Sequence, residues 1–304
     1  MTVKEIHLKY DPGTAKEKED GYGIYGSFFF VIDAFSEPYS KEYPKTYIDG
    51  YSLGEHTARL AESFFKEKSS FLERWPVSAL FSKLNKAVLS EKEKKGISKE
   101  TIELSGTSFA AANVGQDNTE ILAAGDSFAA IELKSGKTLI TKNQVHLHDS
   151  VMHKEISRLM EEVSEEWNLK LDSVDKKSLE EIRKEMWNRF CPILKTARKK
   201  TMNNPEIIQG YPTLNGNSQG EIMWQRFFLP TVDIKRLLLF TDGVVAWEML
   251  KKFTQKQLST FVIEFYKKAG LDGLLDLARS MEAATSEKSY TAHAEATVIA
   301  IESN

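Results

Sequence analysis

The chain has 304 residues, enough to bury one substantial core or two smaller ones. Hydrophobic residues at 41%, charged residues at 28% and a formal net charge of −3 describe an ordinary globular composition, with no electrostatic case for nucleic acid or an anionic membrane. The single cysteine, Cys191, excludes an intramolecular disulfide, and with no signal-peptide-like start and no run near the ~20 apolar residues of a membrane span, the expected setting is cytoplasmic.

In chain order, "EIHLKY" alternates Ile6, Leu8 and Tyr10 as a half-buried strand. "GIYGSFFFVIDAF" reads as one deeply buried strand ending near Asp33. The Pro-, Tyr- and Ser-rich stretch 36–52 reads as a long loop insertion. "LGEHTARLAESFFKEK" places Leu53, Thr57, Leu60 and Phe64 on one helical face. A second amphipathic helix opens at Pro76 and carries Val77, Leu80, Leu84 and Val88. "TIELSGTSFAAANV", "TEILAAGDSFAAIEL" and "TLITK" read as a meander of strands joined by turn signals. Residues 151–200 return to helix, "NNPEIIQGYPTLNGNSQG" is turn-rich, and "RLLLF" is a strand. Helices around 254–282 and a last strand "ATVIAIE" complete the order. Strand runs without regular βαβ alternation predict an α+β domain of antiparallel sheets with helices outside, and no composition break divides the chain into two domains.

Several carboxylates share one context. Glu19 and Asp20 precede the aromatic strand, Asp33 follows it, "AGDS" holds Asp126, and "FTDG" holds Asp242. Each alone is an ordinary turn or cap residue. Gathered at one sheet edge they make an all-oxygen site for Mg²⁺ or Mn²⁺, because clustered carboxylates ionise together only beside a cation.

The segments "EDGYGIYGSFFFVIDAFS", "DGYSLGEHTARLA", "GTSFAAANV", "EILAAGDSFAAIEL", "LLLFTDGVVAW" and "AEATVIAIE" together resemble, in order, the motifs of the metal-dependent type 2C protein serine/threonine phosphatases. The resemblance implies a four-layer α-β-β-α sandwich over residues 1–304, hydrolysis of phosphoserine or phosphothreonine in proteins, and two Mn²⁺ or Mg²⁺ ions. It implies Asp20, Asp33 and Asp242 as catalytic metal ligands, with Asp33 bridging two ions, Asp126 as a further ligand, and Ala34 offering its backbone carbonyl where the family has Gly. Two metal ions would lower the pKa of a bridging water and clamp the phosphoryl oxygens.

The departures are specific. Ala294 stands where the last motif has a ligating Asp, leaving Glu295 or His293 as the substitute. Ala246 stands where the family often has a further Asp. The phosphate-holding Arg expected just before Glu19 is missing, with Lys16 and Lys18 the nearest cations. A catalytically weak or inactive binding or regulatory module is therefore the alternative.

Rival chemistry is thinner. Cys191 and Arg198 have the wrong spacing for a cysteine-phosphatase loop. His146, His148 and His153 follow the "TLITK" strand, where a His-x-His pair would present imidazoles on one face, without a complete zinc set. The run Lys195, Arg198, Lys199 and Lys200 reads as a solvated helix end. Substrate or partner contacts are expected at the 36–52 loop and the 151–200 segment; the sequence assigns no oligomeric state.

Overall fold

The computed structural model describes residues 3–14, 16–171, 174–289 and 294–303. Strand β1 (Val3–Asp11) is followed by β2 (Asp20–Tyr25) and β3 (Phe28–Phe35). The aromatic run is thus a tight hairpin rather than one strand. Gly26, at φ 60°, takes the left-handed backbone that a two-residue connection demands. Within the 36–52 loop, β4 (Tyr47–Ile48) and β5 (Tyr51–Ser52) pair across Asp49 and Gly50, both at positive φ.

Helix α1 (Leu53–Glu67) starts at Ser52, whose hydroxyl accepts from the Glu55 amide, and α2 (Val77–Lys94) follows Pro76. "TIEL", expected as strand, lies in α3 (Lys99–Leu104), because Ser98 caps it by accepting from the Thr101 amide. Then come β6 (Gly106–Val114), β7 (Asn118–Ala124), β8 (Phe128–Leu133) and β9 (Thr138–Ile140). Helices α4 (His146–Glu166) and α5 (Lys176–Thr201) occupy the expected helical segment. Strand β10 (Gln225–Pro230), which the sequence reading passes over, precedes β11 (Ile234–Phe240). Last are α6 (Trp247–Lys252), α7 (Gln255–Ser289), interrupted where Gly270 turns to φ 69°, and β12 (Ala296–Ser303).

One sheet runs β1-β12-β11-β8-β9 and the other β10-β7-β6-β3-β2, with antiparallel ladders. Phe29 and Val31 meet Ile131, Leu237, Leu239, Ile299 and Ile301 between the sheets. Phe28, Phe30 and Ile32 face the other way, onto Phe65 of α1 and Phe81 of α2. Leu238, Phe240, Val298 and Ala300 face Val262, Ile263 and Leu274 of α7. The layers are helix, sheet, sheet, helix.

This double burial explains the unbroken aromatic run. Each of Phe28, Phe29 and Phe30 is fully buried, which is worth about 1.5–3 kcal/mol per side chain. A one-residue slip would exchange the faces of all three, so the register of β3 is strongly held. Ile6 and Leu8 are more exposed than their alternation suggests, because β1 is an edge strand. Helices α4 and α5 share a separate core around Leu159, Val163, Ile182 and Phe190.

Candidate active site

The site follows from the period of two in the strands. On β3, Phe29 and Val31 point between the sheets, so Asp33 does too; on β2, Tyr22 and Ile24 carry the same parity to Asp20. On β6, Ala110 and Ala112 lead to Ser108; on β11, Leu237 and Leu239 lead to Thr241; on β12, Ile301 and Ile299 lead to Thr297. At one end of the inter-sheet core, five strands therefore switch from apolar to polar residues. Asp20, Asp33 and Ser108 stand abreast across three strands.

Both sheets then lock these groups together. The hydroxyls of Thr241 (2.9 Å) and Thr297 (2.7 Å) donate to Asp20 Oδ2 across the gap. Ser108 Oγ donates to Asp126 Oδ1 at 2.5 Å, and Thr107 Oγ1 donates to the Asp33 carbonyl. The glycines beside the aspartates are steric necessities. A Cβ on Gly125 would lie 2.1 Å from Ser108 Oγ, and one on Gly243 would lie 1.8 Å from the Glu295 carbonyl oxygen. The Gly-Asp and Asp-Gly motifs thus let neighbouring strands approach closely enough to place Asp126 and Asp242.

Asp20, Asp33 and Asp242 line a cavity of about 370 Å³. Asp33, Asp126 and Asp242 line an adjoining one of about 350 Å³. Each of these aspartates keeps partial exposure because it faces a cavity, yet the packed protein around it penalises charge. Burial pushes Asp20 up to about 7, with Glu295 and Glu19 adding to the shift and the two threonines opposing it. Burial, then the neighbouring Asp242, Asp20 and Asp126, raises Asp33 well above the carboxylate range. Asp242 is raised likewise, by burial and then by Asp126, Asp20 and Asp149, and burial raises Asp126. Such a cluster either shares protons or takes a cation.

Its donors are oxygens alone, which suits Mg²⁺ or Mn²⁺. The hydroxyls engage Asp20 through Oδ2 and Asp126 through Oδ1. Among the described residues, however, no three His, Cys, Asp or Glu side chains are grouped as a ready ligand set. The fit is one of donor chemistry and shared cavity.

The other expected residues fall as follows. Ala34 lies on β3 without positive φ, its amide donating to the Glu19 carbonyl, and it lines the first cavity. The Glu295 carboxylate accepts from the amides of Glu19 (2.5 Å) and Asp20 (3.3 Å) and from the Tyr10 hydroxyl (2.7 Å), so it clamps the start of β2. His293 lies outside the described residues. Lys18 donates to the Pro12 carbonyl, and neither Lys16 nor Lys18 lines the aspartate cavities.

The histidine motif opens helix α4 instead of extending a strand, so His146 and His148 project ~200° apart around the helix. His148 is buried against Tyr211, with burial pulling its pKa down to about 4. Cys191 is fully buried, and burial raises its thiol pKa, which denies it the thiolate of a nucleophile.

Sequence reasoning missed Asp149 and Lys45, and it did not foresee the surroundings of Glu19 and Arg198. Asp149, pushed up to about 8 by burial and then by Asp126, lines the second cavity. Glu19 accepts from Ser36 Oγ and Ser52 Oγ near the start of α1, where a Cβ on Gly54 would lie 2.4 Å from Glu19 Oε1. Lys45 lines the first cavity beside Glu17 and Glu19. Arg198, expected in a solvated run, instead turns inward and lines both aspartate cavities. Its neighbours do stay outward: Lys199 pairs with Glu100, and Lys195 lies over the Tyr43 ring. Helical spacing carried the signal for Arg198, since Cys191 and Leu194, seven and four residues earlier, are buried on the same face.

No protein-family model and no curated protein matches the sequence. Solved structures do match over nearly the whole chain. The Mycobacterium tuberculosis serine/threonine phosphatase PstP/Ppp has a TM-score of 0.55 at 12% identity, with 99% of each chain covered. The PstP catalytic domain in complex with two manganese ions has a TM-score of 0.54 at 12% identity, covering 98% of this chain and 97% of that one. Serine/threonine phosphatase Stp1 from Staphylococcus aureus has a TM-score of 0.52 at 15% identity, covering 100% of this chain and 96% of that one. At such identities the likeness is one of fold, and the chain has the fold of the type 2C serine/threonine phosphatases.

Proposed function

We propose that this chain is a cytoplasmic, metal-dependent phosphatase that hydrolyses phosphoserine or phosphothreonine in proteins. The observation that carries this reading is the placement of Asp20, Asp33, Asp126 and Asp242 at one end of the inter-sheet core, facing two cavities that share Asp33 and Asp242 in their linings. The fold shared with a manganese-bound PstP catalytic domain supports it. Asp20, Asp33 and Asp242 would hold two Mn²⁺ or Mg²⁺ ions, with Asp126 and the Ala34 carbonyl as further oxygen donors. Bound there, the cations would supply activation of a water and neutralisation of phosphoryl charge.

The chain's own residues hold the donors in place. Thr241 and Thr297 orient Asp20, Ser108 orients Asp126, and Glu295 pins the Glu19 and Asp20 amides. Each hydroxyl donates to the ionised carboxylate, so it favours the charged form that binds metal.

Glu295 also favours a second reading, an inactive phosphoprotein-binding module. Its carboxylate is committed to backbone amides and Tyr10, and Ala294 offers no replacement. Hydrolysis of para-nitrophenyl phosphate separates the two. Turnover with Mn²⁺ that vanishes with chelator and in Asp33→Asn and Asp242→Asn is the expected result. A folded wild type with no turnover in any divalent ion would leave only the binding module.

A further inference from the structure

Among the described residues, Arg198 is the arginine or lysine lining the aspartate cavities that makes no ion pair with a carboxylate. Arg236 and Arg279 form ion pairs with carboxylates, and Lys45 sits beside Glu17 and Glu19. Arg198 instead donates through Nη1 to two backbone carbonyls, Ser36 (2.8 Å) and Leu104 (3.0 Å), and lies 4.6 Å from the Phe35 ring centre. Glu19, Asp149 and Glu37 act on it electrostatically, but among the described residues it makes no ion pair. A guanidinium has five N–H donors. Holding Nη1 on two carbonyls fixes the plane and leaves the Nε–Nη2 edge, the side that binds an oxyanion bidentately, without a hydrogen bond among the described residues. Arg198 also lines both cavities that contain Asp33 and Asp242.

We propose that Arg198 grips the phosphate of the substrate through its Nε–Nη2 edge, so that the phosphate anchor of this chain is mounted on helix α5 and not on the segment before β2. The ligand is a phosphate monoester dianion, an identity that rests on the phosphatase reading, whereas the preorganised anion fork does not. The carbonyls of Ser36 and Leu104 come from the two segments flanking α5's end, so docking of the helix sets the fork's direction. A lysine at this position would carry the charge without the planar fork.

Inorganic phosphate binding, measured calorimetrically with Mn²⁺ present, tests the assignment in wild type, Arg198→Met and Arg198→Lys, with thermal melts to verify folding. Loss of a charge-assisted pair of hydrogen bonds weakens Arg198→Met by about ten- to a hundredfold. Arg198→Lys, which keeps a donor for the two carbonyls, is expected in between. If Arg198→Met does not fold, the deficit in Arg198→Lys decides. Variants that bind phosphate within about twofold of wild type overturn the proposal, as does a folded wild type that binds none. Turnover of para-nitrophenyl phosphate is followed in parallel. An active wild type with undiminished phosphate binding in the variants removes this role and leaves the phosphatase reading. An inactive wild type whose phosphate binding is lost in the variants does the reverse.

Discussion

Gly243→Ala tests whether the Thr-Asp-Gly turn is built around a close approach of two strand ends. The added Cβ would meet the Glu295 carbonyl oxygen at 1.8 Å, its carbon at 2.8 Å and the Ala296 Cα at 3.2 Å, all backbone. An ordinary carbon–oxygen contact is about 3.3 Å, so the seam must open by roughly 1.5 Å. Two hydrogen bonds cross that seam, from the Thr241 amide to the Thr297 carbonyl (3.0 Å) and from the Thr297 amide to Thr241 Oγ1 (2.9 Å). Their loss costs about 1 kcal/mol each, and the overpacking about 1–3 kcal/mol more, for a total of about 3–5 kcal/mol. Gly50, at φ 88° with nothing within 4 Å of a built Cβ, provides the control. Gly50→Ala bears only the left-handed backbone penalty, about 1–2 kcal/mol. Urea unfolding of the variants beside wild type measures both. A Gly243→Ala loss no larger than that of Gly50→Ala would refute the close-approach account of the motif.

Two further outcomes follow from single polar groups. Lys92 is fully buried, its ammonium donating to Ser105 Oγ, and burial pulls its pKa down to about 8. The unfolded chain, at 10.5, holds this proton where the native protein does not, so native stability rises between about pH 8 and 10.5. That rise is worth about 3 kcal/mol; Lys92→Met should remove it, and an identical pH profile in denaturant titrations would disprove the linkage. Trp187 Nε1 donates to the Tyr39 carbonyl at 2.7 Å, tying α5 to the loop that follows β3. Trp187→Ala should lose about 1 kcal/mol of that restraint and speed amide exchange in the 36–46 segment about fivefold, read by hydrogen-exchange mass spectrometry; unchanged exchange would show that the tie does not restrain the loop.

Much of the fold is legible in local pattern. The apolar runs at 28–32, 237–240 and 298–301 mark strands, and the 3.6-residue spacing from Leu53 and from Val77 marks α1 and α2. Errors occurred where a short-range device overrode composition. Gly26 split an aromatic run into a hairpin, and the Ser98 cap drew a β-like "TIEL" into helix. Strand β10 escaped notice because it is an edge strand of alternating partial exposure between turn-rich segments.

By itself the sequence determined where the aspartates sit along the chain. Asp33 and Asp242 close apolar runs, and Asp126 follows one in a Gly-Asp turn, because a strand that ends at water changes there from apolar to polar. Only the tertiary structure decided what surrounds them. Glu295 is drawn onto the amides of Glu19 and Asp20, 276 and 275 residues away in sequence, so that its chemistry belongs to contacts no local spacing encodes. Arg198 reads as one more cation in a basic run until helix α5 docks. Its Nη1 then finds carbonyls 162 and 94 residues distant, and its side chain lines both cavities that hold Asp33 and Asp242. Strand parity is a property of neighbours in sequence, whereas the direction of a long side chain on a packed helix is set by whatever that helix packs against.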